Sequence, residues 1–267
     1  MRRSTLDGKV ALVTGGTSGL GSAAVKVLSR EGARVVIAAR GAGDARDLAY
    51  EIEQAGGQAT FLAVDVTSGT EVQELMREVA TRYGRLDCAF NNAGTEEGNH
   101  SSAADFSEAD FDRVVAVNFK SVWLCMKYEI QQMLQQRPSG GTIVNTSSIS
   151  GLGGDAMGAL YSAAKSGVLA LTKAAAQDYG RLGIRINAIV PGRLQTPFLD
   201  RVLNRAARGD QRAVSALEAY WADRVPLGRI GKPEEAAEAA VWLLSDASSY
   251  VSGHSLIVDG GLTAPFR

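Results

Sequence analysis

The sequence predicts an α/β protein: a doubly wound parallel sheet of about seven strands with helices on both faces. Three features of the pattern predict it. Short β-branched apolar runs alternate with longer amphipathic segments along the chain, the signature of right-handed strand–helix–strand units. Most of those runs are nearly continuous rather than alternating, as parallel strands covered on both faces require. A glycine-rich turn joins the first strand to the first helix, which marks the start of the first crossover.

Taken in order, the first strand is residues 10–13, followed by the glycine turn and a helix at 20–31. A strand at 34–39 leads to a helix at 45–55, and a strand at 60–64 leads to a helix at 71–83. The second half repeats the alternation with strands at 86–90 and 142–146 and helical segments at 108–136 and 160–180. A strand at 184–190, a helix at 233–244 and a short strand at 256–258 complete the pattern. The helix at 233–244 opens on Pro233 followed by Glu234 and Glu235, a sequence suited to a helix N-terminus and its dipole. Strand signals stop over residues 193–231, which carry Arg201, Arg205, Arg208 and Arg212 beside Phe198, Tyr220 and Trp221. A helical excursion covering a site fits this stretch, with a solvated surface hairpin as the alternative. No repeat, low-complexity tract or Pro/Ser-rich linker interrupts the chain, so residues 1–267 read as one domain.

The 267 residues are 45% hydrophobic and 21% charged, enough to bury a core without disulfides or structural metal. The 28 Lys+Arg against 29 Asp+Glu leave a net charge of −1, which excludes the overall basic field that recruits nucleic acid or acidic membrane. Cys88 and Cys125 lie far apart in apolar stretches and read as free buried thiols, suited to a reducing cytoplasm. The polar, charged N-terminus argues against a signal peptide, and no run approaches the roughly eighteen apolar residues of a membrane span. A soluble cytoplasmic protein is the expectation. With only His100 and His254, and no Cys/His cluster, no metal site is expected. His100 reads as a surface loop residue and His254 as structural.

The glycine turn is Thr14-Gly15-Gly16-Thr17-Ser18-Gly19-Leu20-Gly21. Glycines there permit a tight turn, close backbone approach to a pyrophosphate and close helix–strand packing. The helix that follows presents N–H groups and a positive dipole end to the phosphates. After the first strand of a strand–helix unit the turn reads as a Rossmann-type dinucleotide site, with a plain sharp turn as the alternative, and further candidate contacts fall at the carboxyl ends of the strands. Asp65-Val66 follows the third strand, where a carboxylate can accept from the adenine amino group, and Asn91-Asn92-Ala93-Gly94 follows the fourth. After the second strand, Ala39 offers no carboxylate for a ribose 2′-hydroxyl, whereas Arg40 offers a cation for a 2′-phosphate. NADP(H) is therefore the favoured cofactor; NAD(H) is the alternative, with Asp44 or Asp47 supplying the carboxylate.

Tyr161-Ser162-Ala163-Ala164-Lys165 opens a helical segment, and a four-residue spacing puts phenol and ammonium on one face. A neighbouring cation lowers a phenol's pKa, the tuning an acid/base tyrosine needs. The preceding strand ends in Thr146-Ser147-Ser148. Successive strand residues face opposite ways, so one of the two serines faces a substrate oxygen; ordinary turn chemistry is the plainer use of the pair.

These residues together resemble the short-chain dehydrogenase/reductase family, in its compact branch with 3-ketoacyl-carrier-protein reductases and sugar and alcohol dehydrogenases. The resemblance runs through the glycine turn, Asp65, Asn91 to Gly94, Asn118, Ser148, Tyr161 with Lys165, Pro191-Gly192, Thr196 and the terminal Val258-Asp259-Gly260-Gly261. It implies hydride transfer between a secondary alcohol and a ketone, with Asn118, Ser148, Tyr161 and Lys165 as the catalytic set. Family spacing back from the tyrosine selects Ser148 over Ser147. Tyr161 exchanges the proton, and Lys165 lowers its pKa and binds the nicotinamide ribose. Ser148 polarises the substrate oxygen, and Asn118 holds a water that links Lys165 to solvent.

The implied cofactor contacts are Gly15, Thr17, Ser18, Gly19, Leu20 and Gly21 in the turn, with Arg40, Asp65, Val66, Asn92, Ala93 and Gly94 at the strand ends and Tyr161 and Lys165 at the nicotinamide end. Pro191, Gly192, Leu194 and Thr196 close over the nicotinamide, Thr196 bonding its carboxamide or the phosphates. The basic residue some members carry inside the turn is absent, Ser18 standing there. Leu152, Met157, Leu194, Phe198 and Trp221 suggest a partly apolar substrate pocket for a small or mid-sized alcohol or ketone. The resemblance also implies a homotetramer built on the 108–136 and 160–180 helices and the last strand. Pro265-Phe266-Arg267 either reach a neighbouring subunit or fray. The competing functions are a non-catalytic dinucleotide-binding regulator and an epimerase or dehydratase on the same fold.

Overall fold

A computed structural model describes residues 5–264; the expected reach of Pro265, Phe266 and Arg267 lies outside them. Seven parallel strands form one sheet in the order β3-β2-β1-β4-β5-β6-β7. They are β1 (Val10–Thr14), β2 (Arg34–Ala39), β3 (Gln58–Ala63), β4 (Cys88–Asn91), β5 (Gly141–Thr146), β6 (Ile184–Pro191) and β7 (Ser255–Val258). The order reverses between β1 and β4, whose ends meet at the Thr14–Asn91 pair. Such a switch point opens a crevice beyond the strand ends.

The central strands are apolar because both faces are covered. Ala11 and Val13 of β1 pack into one layer with α1 (Gly19–Arg30), α2 (Gly43–Gln54) and α9 (Pro233–Leu244). Val10 and Leu12, pointing the other way, pack against α3 (Gly69–Tyr83), α5 (Ser121–Gln135) and α6 (Ala159–Tyr179). The edge strand β3 is only partly buried and starts earlier than the apolar run at 60–64 suggests. Neighbour pairing with β2 from Gln58 onward, rather than side-chain hydrophobicity, sets its length. Asp87, buried just before β4, accepts from the Val10 amide at 2.9 Å and pairs with Arg85, fixing the entry of β4 beside β1.

Two departures from the sequence pattern bear on the site. The helical segment expected over residues 108–136 is interrupted. α4 (Glu108–Val115) passes into a π-helical turn at Ala116–Lys120 before α5, with the Ser121 amide donating back five residues to the Ala116 carbonyl. Residues 193–231 form two helices, α7 (Pro197–Ala206) and α8 (Gln211–Asp223). Leu199, Leu203 and Ile230 pack with Val214, Leu217 and Trp221 into a small separate core, which sets aside the surface-hairpin alternative. The base of this excursion is stapled: the Gly231 amide donates to the Arg193 carbonyl at 3.0 Å, and the Gln195 amide to the Gly231 carbonyl at 2.9 Å. Among the described residues no helix is long and apolar enough to cross a membrane.

Candidate active site

A cleft of about 710 Å³ runs along the carboxyl ends of the strands on both sides of the switch point, within the usual range for ligand sites. Its floor is the glycine turn. Gly15 has φ +64° and Gly19 φ +52°, and a side chain at Gly15 would sit 2.8 Å from the Ala93 Cα. Only glycine allows that conformation and that approach. Thr14 ties the turn to the β4 loop, its hydroxyl accepting from the Asn92 amide at 3.1 Å and the Ala93 amide at 3.2 Å.

Thr17, Ser18, Gly19 and Leu20 line the cleft at the start of α1. Gly21 does not: a Cβ there would fall 2.1 Å from the Gly15 carbonyl oxygen, so this glycine serves the packing of α1 against the turn. Arg40 lines the end of the cleft beyond β2, with Asp65 and Val66 beyond β3. Asp65 Oδ1 accepts from the Thr67 amide and hydroxyl at 2.9 and 2.7 Å. Those bonds, with Arg40 nearby, hold its carboxyl below the usual range. Asp44, the alternative carboxylate, lines the same end.

At the other end Ser148, Tyr161, Lys165 and Asn118 all line the cleft, although they come from the segment just past β5, from α6 and from the π-helical turn. The two serines divide as the period of a strand requires. Ser147 points into the fold and donates to the Lys165 carbonyl at 2.8 Å, anchoring α6. Ser148 is half-buried on the cleft side, within reach of Ser150. Lys165 Nζ donates to the Thr146 carbonyl at 3.0 Å and lies 5.8 Å from the centre of the Tyr161 ring.

The wide turn is what brings Asn118 inward. It is fully buried; its Oδ1 accepts from the Thr95 amide at 3.0 Å. Its Nδ2 is buried without a hydrogen-bond partner among the described residues, and buried donors of that kind mark a place for a further polar group.

The electrostatics correct one expectation. Burial pushes the Tyr161 phenol up to about 12, the Ser148 hydroxyl offsets part of the rise, and Asp155 and Glu96 add to it. Burial also brings Lys165 down to about 8. In the protein alone, desolvation therefore outweighs the pull of the lysine on the phenol that sequence spacing suggests.

Pro191, Gly192 and Leu194 line the cleft beyond β6, as does Thr196. The Thr196 hydroxyl is occupied locally: it donates to the Leu194 carbonyl at 3.2 Å and caps α7 through the Leu199 amide at 3.4 Å. Phe198 lies 6.1 Å from Tyr161 between ring centres. Leu152, Met157 and Trp221, expected in the pocket, do not line it. His100 stands in the loop after β4, edge-on to Phe106 at 5.1 Å.

Sequence reasoning missed two groups. Arg193 lines the cleft directly after Pro191-Gly192, a position the motif itself flags. Glu96, buried in the loop after β4, pairs with Arg201 at 2.8 Å and Arg205 at 3.5 Å on α7. Burial pushes the Glu96 carboxyl up, but the two arginines more than offset it and hold it below its usual value.

The glycine cradle, the amides at the start of α1 and the unpaired Asn118 amide suit a dinucleotide laid from Arg40 to Tyr161. Fold and cleft thus define a dinucleotide-dependent oxidoreductase. A family model described as enoyl-(acyl carrier protein) reductase matches residues 15–263. The chain is 41% identical over 263 residues to the 2,5-dichloro-2,5-cyclohexadiene-1,4-diol dehydrogenase of Sphingobium indicum, covering 98% of this chain and 99% of that protein.

Levodione reductase superposes with a TM-score of 0.92 at 32% identity, over 98% of this chain and 100% of that one. A variant of actinorhodin polyketide ketoreductase solved with NADPH gives 0.90 at 34% identity, over 97% and 98%. The chain belongs to the short-chain dehydrogenase/reductase family and is an NAD(P)-dependent enzyme acting on CH–OH groups.

Proposed function

We propose that the chain interconverts a ketone and a secondary alcohol with Tyr161 as general acid/base, Ser148 and Lys165 as its partners, and NADP(H) as the preferred cofactor. The observation that carries the reading is the division of the serines. Ser147 is consumed in anchoring α6, which leaves Ser148 as the hydroxyl beside Tyr161 on the cleft wall. The nicotinamide supplies the hydride in reduction and takes it in oxidation.

In the reductive direction Ser148 donates to the substrate carbonyl oxygen and stabilises the charge that grows there. Tyr161 Oη donates the proton that completes the alcohol. A phenol at about 12 is fully protonated at neutral pH and ready to give that proton. Lys165, at about 8, titrates near neutrality and resupplies it. Asn118, held by Thr95, keeps its Nδ2 free for the water through which protons reach Lys165 from solvent.

For NADP(H), the support is Arg40 at the adenosine end and Ala39 in place of a carboxylate; Asp44 on the same wall is the observation that favours NAD(H). The ratio of kcat/KM for NADPH and NADH decides between them, and a clear NADH preference refutes the Arg40 assignment. Tyr161→Phe is expected to lose turnover by a factor on the order of a thousand or more while cofactor binding, read by fluorescence titration, stays intact. Retained turnover refutes the assignment.

The same reading treats the chain as one dinucleotide-binding domain whose 193–231 excursion covers the substrate. It assembles as a homotetramer in the cytoplasm. Exposed Phe111 on α4, Trp123 on α5 and Ile257 on β7 supply apolar contact area for assembly, which light scattering tests. The free, buried Cys88 and Cys125 suit a reducing compartment.

A further inference from the structure

Among the described residues, Arg193 is the one arginine lining the catalytic end of the cleft that makes no salt bridge. Arg201, its neighbour on the cleft wall, is paired with Glu96; Arg40 stands at the adenosine end beside Asp65. The Arg193 guanidinium lies 4.5 Å from the centre of the Trp221 ring on α8. It is half-buried, and burial lowers its pKa. A guanidinium stacked on an aromatic face keeps its in-plane N–H donors free for a planar anion.

Arg193 and Tyr161 line the same cleft, and the Asp155 charge bears on both. Asp155 is itself engaged by the Ser150 hydroxyl. Arg201 and Arg205 share Glu96, and Arg224, bonded to the Tyr220 hydroxyl, adds a further positive charge near Arg193, so this end of the cleft is net positive. Of these groups Arg193 is the unpaired guanidinium that lines the cleft, and one guanidinium matches the single charge of a carboxylate better than a dianionic phosphate. Phe198, beside Tyr161, and Leu194 add apolar surface to the same cleft.

We infer that the substrate is a keto or hydroxy carboxylic acid: its carbonyl carbon is presented to Ser148 and Tyr161, and its carboxylate is received by Arg193. Trp221 holds the guanidinium plane in place, so the excursion contributes to recognition as well as cover. The inference deepens the proposed reaction and rests on it.

The test uses pairs of ketones that differ only in charge: levulinate against levulinamide, and para-acetylbenzoate against para-acetylbenzamide. The wild-type chain is expected to favour the acid of at least one pair by on the order of 10- to 100-fold in kcat/KM, the worth of a charge-assisted hydrogen bond. Arg193→Met is expected to collapse that acid-to-amide ratio to near one, and Arg193→Lys to keep part of it. The ratio is internal to each preparation, so partial loss of folded protein does not move it. No preference in either pair, or a ratio that survives in Arg193→Met, overturns the inference; in the second case Arg193 serves the cofactor or the cover.

If the wild-type chain turns over no member of either pair, these ketones are not its substrates, and the reaction reading is judged separately by a broader panel of alcohols and ketones. The carboxylate inference is then decided by calorimetry on the Tyr161→Phe chain with NADPH. Tighter binding of para-acetylbenzoate than of its amide sustains it, and equal or absent binding overturns it.

Discussion

Glu129 is a carboxyl group inside the fold with, among the described residues, no cation beside it and no exposed surface. It lies on α5, fully buried, and its Oε2 accepts from Asn91 Nδ2 at 2.9 Å. Asn91 in turn donates to Asn145 Oδ1 at 3.1 Å, and Asn145 donates to the Thr172 hydroxyl at 3.0 Å, so a polar chain crosses β4 and β5 beneath α5 and α6. Glu129 Oε1 has no hydrogen-bond partner among the described residues, and an unpaired charge there would cost far more than an unpaired neutral group. Burial accordingly raises its pKa from 4.5 to about 8, with the Asn91 hydrogen bond pulling back only part of the rise.

The folded chain therefore binds a proton over this window that the unfolded chain does not. The stabilisation is full below about pH 4.5, fades as pH rises towards 8, and is gone above that. At 1.36 kcal/mol per pH unit the whole window is worth about 5 kcal/mol. Glu129→Gln mimics the protonated acid at all pH values. It is expected to lie within about 1 kcal/mol of the wild-type chain at pH 5 and to exceed it at pH 8 by about 4 kcal/mol, roughly 10 °C in Tm for a chain of this size. Urea or thermal unfolding of both chains at pH 5, 6, 7 and 8 measures the difference. Parallel stability curves, or a glutamine variant that is the weaker at pH 8, refute the reasoning.

Two further outcomes follow from the geometry of the cleft. Ketone reduction is expected to be level at neutral pH and to fall as pH rises through about 8, where Lys165 loses its proton. Alcohol oxidation should keep rising with alkalinity because Tyr161 must first give up a proton held at about 12; initial rates in both directions from pH 6 to 10 check this. Gly21→Ala drives a methyl group into the Gly15 carbonyl, and is expected to cost about 1–3 kcal/mol and to weaken cofactor binding, read by urea midpoint and by titration with NADPH.

Much of the fold was legible because one physical cause, burial of both sheet faces, wrote itself into the strands. The run Val10 to Val13 reads as a central strand and is one. Gln58 and Ala59 do not read as strand, because at the sheet edge the backbone of β2 recruits them regardless of hydrophobicity. At the site, the glycine turn and the Tyr161–Lys165 pair were visible from local spacing. The π-helical turn that presents Asn118 was not, since a shift from four- to five-residue bonding has no side-chain signature in Ala116 to Lys120. The rise in the Tyr161 pKa was hidden for a different reason: spacing reveals a neighbouring charge, whereas desolvation depends on what α7 and the β4 loop place above the ring. The position of Arg193 was legible from the Pro191-Gly192 motif, but its contact with Trp221 was not, because that ring is distant in sequence and reaches it only through the fold of the excursion.

The stapled base of that excursion has a consequence for how such a chain diversifies. The backbone leaves β6 at Arg193 and returns at Gly231, and exit and return are hydrogen-bonded to each other. Everything between them packs largely around its own small core. The segment is therefore an exchangeable cassette plugged into a fixed socket. Replacing it would change which molecules are admitted, while the strand ends proposed to hold most of the cofactor and to carry the proton chemistry keep their register. Selection for a new substrate can act on some thirty-odd residues and leave the chemistry of the rest intact.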